Sequence, residues 1–151
     1  MNPPAAAPKS AQERASRTAL IVDDEAPLLR LMVRLLERAH YQVWAAQDGT
    51  QARQLFREHE AEIGLALIDV IHPPGAGAED LLPELLERKP DLDVILTSGD
   101  VLSESLEEIL NRIGGRFLRK PFVPKALLRL LEDTGKPDAD VVGDSTGPGT
   151  V

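Results

Sequence analysis

Short apolar runs that stop at a polar or charged residue recur along this chain, separated by longer stretches with helical spacing. Thr18-Ala19-Leu20-Ile21-Val22 ends at Asp23-Asp24-Glu25, and Leu65-Ala66-Leu67-Ile68 ends at Asp69. Val94-Ile95-Leu96-Thr97 leads into Ser98-Gly99-Asp100. Gln42-Val43-Trp44-Ala45-Ala46 and the short Arg116-Phe117-Leu118-Arg119, which runs into Lys120-Pro121-Phe122, complete five candidate strands. Runs this apolar predict strands buried on both faces, as in a parallel sheet covered by helices.

The intervening stretches carry the covering helices. Leu28, Met32, Leu35 and Ala39 recur at helical spacing with Arg30, Arg34 and Arg38 opposite, and Pro27 suits a first turn. Asp48 is placed to cap a helix reaching about His59, with Ala52, Leu55 and Phe56 as its apolar face. After a loop rich in Pro and Gly at 72–77, Leu81, Leu82, Leu85 and Leu86 define a third helix. Leu102, Leu106, Ile109, Leu110 and Ile113 define a fourth, closed by Gly114-Gly115, and Ala126, Leu127, Leu130 and Leu131 a fifth. Alternating strands and helices joined by right-handed crossovers give one α/β domain with a parallel sheet. The Ala-, Pro- and Ser-containing residues 1–17 and the Gly-, Pro- and Asp-containing residues 135–151 are expected to be disordered, leaving a domain at 18–134.

Composition narrows the class of partner. The net charge of -8 argues against a nucleic-acid surface, which needs clustered Lys and Arg. With no cysteine there is neither a disulfide framework nor a thiolate metal site. No apolar run is long enough to span a bilayer, and the first residues lack the apolar segment of a secretory signal. The expectation is a cytoplasmic domain with no membrane and no nucleic-acid partner.

Ligands of open α/β sheets bind outside the carboxyl ends of the strands. There the first strand delivers Asp23 and Asp24, the third Asp69, the fourth Thr97 and Ser98, and the fifth Lys120. Three carboxylates at one edge repel each other unless a cation or a proton joins them. All-oxygen ligation with waters suits Mg²⁺. A lysine beside such a site can neutralise a phosphoryl group, and a hydroxyl can bond one of its oxygens. Each residue also has a plainer account. The acidic pair could serve a helix N-terminus, Asp69 a turn, Thr97 and Ser98 caps, Phe117 the core, and Lys120 the solvent. One site explains them together more economically than five coincidences at one edge.

In this order and at these strand ends, the residues resemble the receiver domain of two-component response regulators over about residues 18–134. The motifs are Asp23-Asp24, Asp69, Ser98-Gly99 and Lys120-Pro121, with Phe117 on the switch-aromatic position and Gly77 on the glycine that ends the loop after the third strand. The resemblance implies a flavodoxin-like (βα)5 fold with strand order 2-1-3-4-5. It further implies a phosphorelay role in which Asp69 takes a phosphoryl group from a histidine kinase or a histidine phosphotransfer protein. Mg²⁺ would be held by Asp23, Asp24, Asp69 and the backbone carbonyl of Ile71. Lys120 would pair with Asp69 and then with the phosphoryl group. Ser98 would move to the phosphoryl oxygen and Phe117 would turn into the space vacated. Ser98 takes this place rather than Thr97 because glycine follows it. The Lys120–Pro121 bond is expected to be cis. Such a protein is no turnover enzyme but a stoichiometric phosphoacceptor with self-catalysed gain and loss of the group.

The chain departs from the common pattern at His72, where many relatives have methionine, at Pro74, and at Ile71, whose apolar side chain cannot orient an attacking water. Slow autodephosphorylation is therefore expected. With little sequence after Gly135, output is expected through protein contacts of the fourth helix, fifth strand and fifth helix. There Arg112, Arg116 and Arg119 beside Glu107, Glu108 and Asp133 could support a homodimer, and an unknown downstream protein would read the state. The stretches Val94 to Gly99 and Phe117 to Phe122 are similar to receivers appended to hybrid sensor kinases. The competing readings are a Mg²⁺-dependent phosphohydrolase with an aspartyl-phosphate intermediate, which usually has a second acid where Ile71 stands, and a scaffold that is never phosphorylated.

Overall fold

The structure, a computed structural model, describes residues 17–70 and 78–132. Arg17, expected to end the disordered leader, is instead fixed in place, its carbonyl accepting from the Gln42 N–H and its guanidinium donating to the Ala39 carbonyl. Residues 1–16 and the expected tail, and with them Ile71, His72, Pro74, Gly77 and Asp133, lie outside the described residues. The described chain alternates β1 (Thr18–Val22), α1 (Ala26–Arg38), β2 (Gln42–Ala46), α2 (Gly49–His59), β3 (Ile63–Asp69), α3 (Ala78–Arg88), β4 (Asp93–Ser98), α4 (Glu104–Ile113), β5 (Arg116–Arg119) and α5 (Pro124–Glu132). All strand pairs are parallel, in the order β2-β1-β3-β4-β5. This is the flavodoxin-like order expected from the sequence. No described helix is long and apolar enough to cross a membrane.

Strand alternation sorts the core into two layers. Leu20, Val22, Ala66, Ile68, Val94 and Leu96 face the layer built with Phe56 of α2, Leu82 and Leu85 of α3, and Leu106 and Leu110 of α4. Ala19, Ile21, Leu65, Leu67, Ile95 and Leu118 face Leu29, Met32 and Leu36 of α1 and Leu127 of α5. β1, β3 and most of β4 are therefore buried on both faces, which is why they read as unbroken apolar runs.

Several expected details shift. On α1 the buried stripe is Leu29, Met32, Leu35 and Leu36, with Leu28 half-buried at its margin and Ala39 just past the helix end. The helix lies against two strands at once, so its contact stripe is wider than a single i, i+4 row. Leu86 is likewise marginal on α3, and Leu102 precedes α4, which Ser103 caps by accepting from the Leu106 N–H. β3 begins at Ile63, earlier than the apolar run suggests, because Gly64 interrupts that run. Arg116 does not join a surface charge cluster: it pairs with Asp93 at 2.6 Å and donates to the Leu130 carbonyl, tying β5 to β4 and α5. Asp48 caps α2 as expected, accepting from the Gln51 N–H at 2.8 Å. His59, at the end of α2, stacks on Trp44 of β2, ring centroids 3.7 Å apart.

α1 ends in a paired-bond stop. The Tyr41 N–H reaches the Leu36 carbonyl and the His40 N–H the Glu37 carbonyl, each at 2.9 Å. That geometry puts His40 at φ 72°, a left-handed conformation in which any Cβ crowds the backbone. Replacing His40 with glycine is expected to stabilise the protein by about 1 kcal/mol, a rise of about 3 °C in Tm. Thermal unfolding followed by circular dichroism checks it; a lower Tm would show that the imidazole contributes more than its backbone costs.

Candidate functional site

The register of the sheet assembles the site. Val22 of β1 lies beside Ile68 of β3, Asp69 beside Thr97 of β4, and Ser98 beside Arg119 of β5. The ladder continues past the strand ends. The Asp23 N–H donates to the Ala46 carbonyl at 3.0 Å, and the Val70 N–H to Thr97 and Lys120 N–H to Ser98 at 2.8 Å each. Continuing the alternation of each strand puts Asp23, Asp69, Thr97 and Lys120 on the α1/α5 side of the sheet. Ser98 and Phe117 fall on the opposite side, where Phe117 packs half-buried against the layer containing Leu96.

Asp23, Asp24 and Asp69 each present a carboxylate oxygen, and the three oxygens lie within 4.8 Å of one another. Asp23 is fully buried, Asp69 nearly so, and Asp24 is open to solvent. The Lys120 ammonium stands 2.9 Å from Asp69 Oδ1, 3.1 Å from Glu25 Oε1 and 3.3 Å from Asp23 Oδ2. Asp23 Oδ1 accepts from the Glu25 N–H at 2.8 Å. Asp23 Oδ2 has no aligned hydrogen bond although it is buried; the approach of Lys120 there is an ion-pair contact only. A buried carboxylate oxygen without a donor, next to two further carboxylates, is the ligand set a hard divalent cation takes.

Thr97 Oγ1 donates to Asp69 Oδ1 at 3.3 Å, so that one oxygen serves both Thr97 and Lys120. Ser98 does not touch Asp69: its hydroxyl accepts from the Asp100 N–H at 3.0 Å. Thr97 and Glu25 are the participants that sequence reasoning left aside. For Thr97 the sequence shows only that it alternates with Ile95; that it shares the face of Asp69 follows from the β3–β4 register. For Glu25 the signal was the third acid in a row after β1. The Lys120–Pro121 peptide is cis, as expected.

Electrostatics follow from burial. Burial pushes the Asp23 carboxyl upward from its ordinary value; the Glu25 N–H opposes this, the Asp69 charge adds to it, and Lys120 opposes it. Burial likewise raises Asp69, against the hydrogen bonds of Lys120 and Thr97, with Asp24 adding a smaller push. For Lys120 burial alone would weaken the proton's hold. Its hydrogen bonds to Asp69 and Glu25, and the charges of Asp69 and Asp23, outweigh burial and raise it.

The sequence profile described as "Response regulator receiver domain" matches residues 19–132. The chain belongs to the response regulator receiver family. This receiver is 35% identical over 111 residues to response regulator GtcR of Aneurinibacillus migulanus, covering 72% of the chain and 43% of that protein. It is 30% identical over 118 residues to sensor kinase CckA of Brucella abortus, covering 78% of the chain and 12% of the kinase. It thus spans less than half the length of these curated relatives. The solved receiver domain from hybrid histidine kinase CckA superposes with a TM-score of 0.65 at 28% identity, covering 79% of this chain and 99% of that domain.

A carboxyl whose pKa is higher folded than unfolded holds its proton to higher pH in the native state. Stability is then lost as pH rises from the unfolded to the folded value. Asp23 and Asp69 both have this sign, so in a chelator they weaken the receiver at neutral pH. The raised Lys120 contributes stability below the ordinary lysine pKa that disappears only in strong alkali. Asp23→Asn is expected to stabilise the metal-free protein at pH 7 by on the order of 1 kcal/mol. The gain should vanish below the ordinary aspartate pKa. Urea titrations across pH check this, and a gain that persists in acid would contradict it.

Proposed function

We propose that this receiver is a Mg²⁺-dependent phosphoacceptor in a two-component phosphorelay, with Asp69 as the residue esterified. The observation that carries this is the rim at which Asp69 meets Lys120 at 2.9 Å and the Asp23–Asp24 pair within 4.8 Å. The donor is a phosphohistidine of a histidine kinase or of a histidine phosphotransfer protein. Asp69 Oδ2, which has no hydrogen bond among the described residues, attacks phosphorus in line; the P–N bond breaks and its electron pair leaves with the imidazole, which picks up a proton. Asp23, Asp24, Asp69 and the carbonyl of Ile71 would hold the ion. Bound Mg²⁺ supplies positive charge that offsets the acid cluster and the phosphoryl oxygens.

The chain's own residues do the rest. Lys120 follows the negative charge from the carboxylate to the phosphoryl oxygens. Ser98 gives up the Asp100 N–H and donates to one of them, and Phe117 turns into the space this opens between β4 and β5. The altered α4–β5–α5 face is then read by a downstream protein or by a second copy of the receiver. One phosphoryl group is gained and lost per chain, so the chemistry is stoichiometric, and the apolar Ile71 makes the loss slow. Donors charged from ATP fit a cytoplasmic location.

Incubation with acetyl phosphate and Mg²⁺, followed by phosphate-affinity electrophoresis, tests the reading. Wild type should give a retarded band, absent with Asp69→Asn or a chelator. Ser98→Ala should label about ten- to a hundredfold more slowly. A wild type that never shifts overturns the proposal, and release of many phosphates per chain within seconds would favour the phosphohydrolase reading instead.

A further inference from the structure

Thr97 has no part in the function just proposed, yet it is 1% exposed and its hydroxyl meets the Asp69 carboxylate at 3.3 Å. It stands directly beside Asp69 in the β3–β4 ladder, so the contact is set by strand register rather than by a mobile loop. Lys120 meets the same oxygen, Oδ1, at 2.9 Å. The two oxygens of Asp69 are therefore unequal. Oδ1 holds two donors, and Oδ2 has no hydrogen bond among the described residues.

We propose that Thr97 is a positioning residue that fixes this inequality and thereby sets the lifetime of the phosphorylated receiver. The inference rests on the phosphoacceptor reading of Asp69. Held through Oδ1, the carboxylate presents Oδ2 to phosphorus, and Oδ1 becomes the carbonyl oxygen of the acyl phosphate. A hydrogen bond to a full carboxylate is stronger than one to a neutral carbonyl. The Thr97 donor therefore favours the free carboxylate over the acyl phosphate. In hydrolysis a water oxygen bonds to phosphorus and the P–Oδ2 bond breaks. Its electron pair returns to the Asp69 carboxylate, and the water proton leaves with inorganic phosphate. Charge grows on Oδ1 as that bond breaks, and Thr97 steadies it. Lys120 moves off toward the phosphoryl oxygens in the same state, leaving Thr97 as the donor that stays. Thr97 thus improves Asp69 as a leaving group, and Ser98, on the other side of the sheet, does not substitute for it.

The test uses the full chain, labelled with radioactive acetyl phosphate in Mg²⁺, freed of reagent, and followed for loss of label. Thr97→Val and Thr97→Ala, both checked by thermal melting so that misfolding of one leaves the other, should keep the label about fivefold longer than wild type. Thr97→Ser, which restores the hydroxyl, should return the lifetime to the wild-type value. Damage to packing alone would not be rescued by serine, which leaves the methyl group missing. Wild-type decay in folded Thr97→Val and Thr97→Ala overturns the inference while leaving Asp69 as acceptor. Absence of label on wild type overturns the acceptor reading, and this inference with it.

Discussion

The site depends on one ammonium group among buried carboxylates. Asp23 and Asp69 are taken out of water at the top of adjacent strands, and each is pushed toward its protonated form by that burial. Lys120 stands within 3.3 Å of Asp69, Glu25 and Asp23. Breaking such a pair by deleting one partner typically leaves a buried charge that costs about 3–5 kcal/mol. Lys120 is therefore the counter-ion shared by the cluster and, under the proposed reading, the group that follows the negative charge onto the phosphoryl oxygens. The compensation is incomplete, since Asp23 Oδ2 keeps no aligned donor. That residual deficit leaves an acceptor open at the rim, and the proposed cation site rests on it.

The deficit exists because of the sheet. Parallel pairing aligns the carboxyl ends of β1, β3, β4 and β5, and two-residue alternation decides which side chains share a side there. A shift of one residue in β4 would swap Thr97 for Ser98 beside Asp69 and bury the wrong hydroxyl. Register is held by the layers beneath: Ile95 and Leu67 pack toward α1 and α5, Leu96 and Ile68 toward α2, α3 and α4. The distances at the rim thus follow from apolar packing several residues away.

Much of this was legible in the sequence, and what was not has a physical reason. Doubly buried strands advertise themselves as apolar runs, so β1, β3 and β4 and the polar residues ending them could be read directly. The edges of elements were harder: Gly64 hid the start of β3, and the wide contact stripe of α1 moved burial from Leu28 to Leu29 and Leu36. Cross-strand partners were not legible, because they depend on register. Arg116 looked like surface charge until β5 set it beside Asp93 and α5. The division between Thr97 and Ser98 was missed for a similar reason, since motif spacing names the residue before glycine but says nothing of its neighbour's orientation.

Asp69 and Lys120 lie on one side of the sheet, and Ser98 and Phe117 on the other. Under the proposed reading the sheet is a partition between the reactants and the mechanism that reports them. Natural drift in the helices packed over Phe117 can therefore retarget what listens to this receiver while its acid chemistry stays untouched, and the same separation gives an engineer two independent handles on a single small domain.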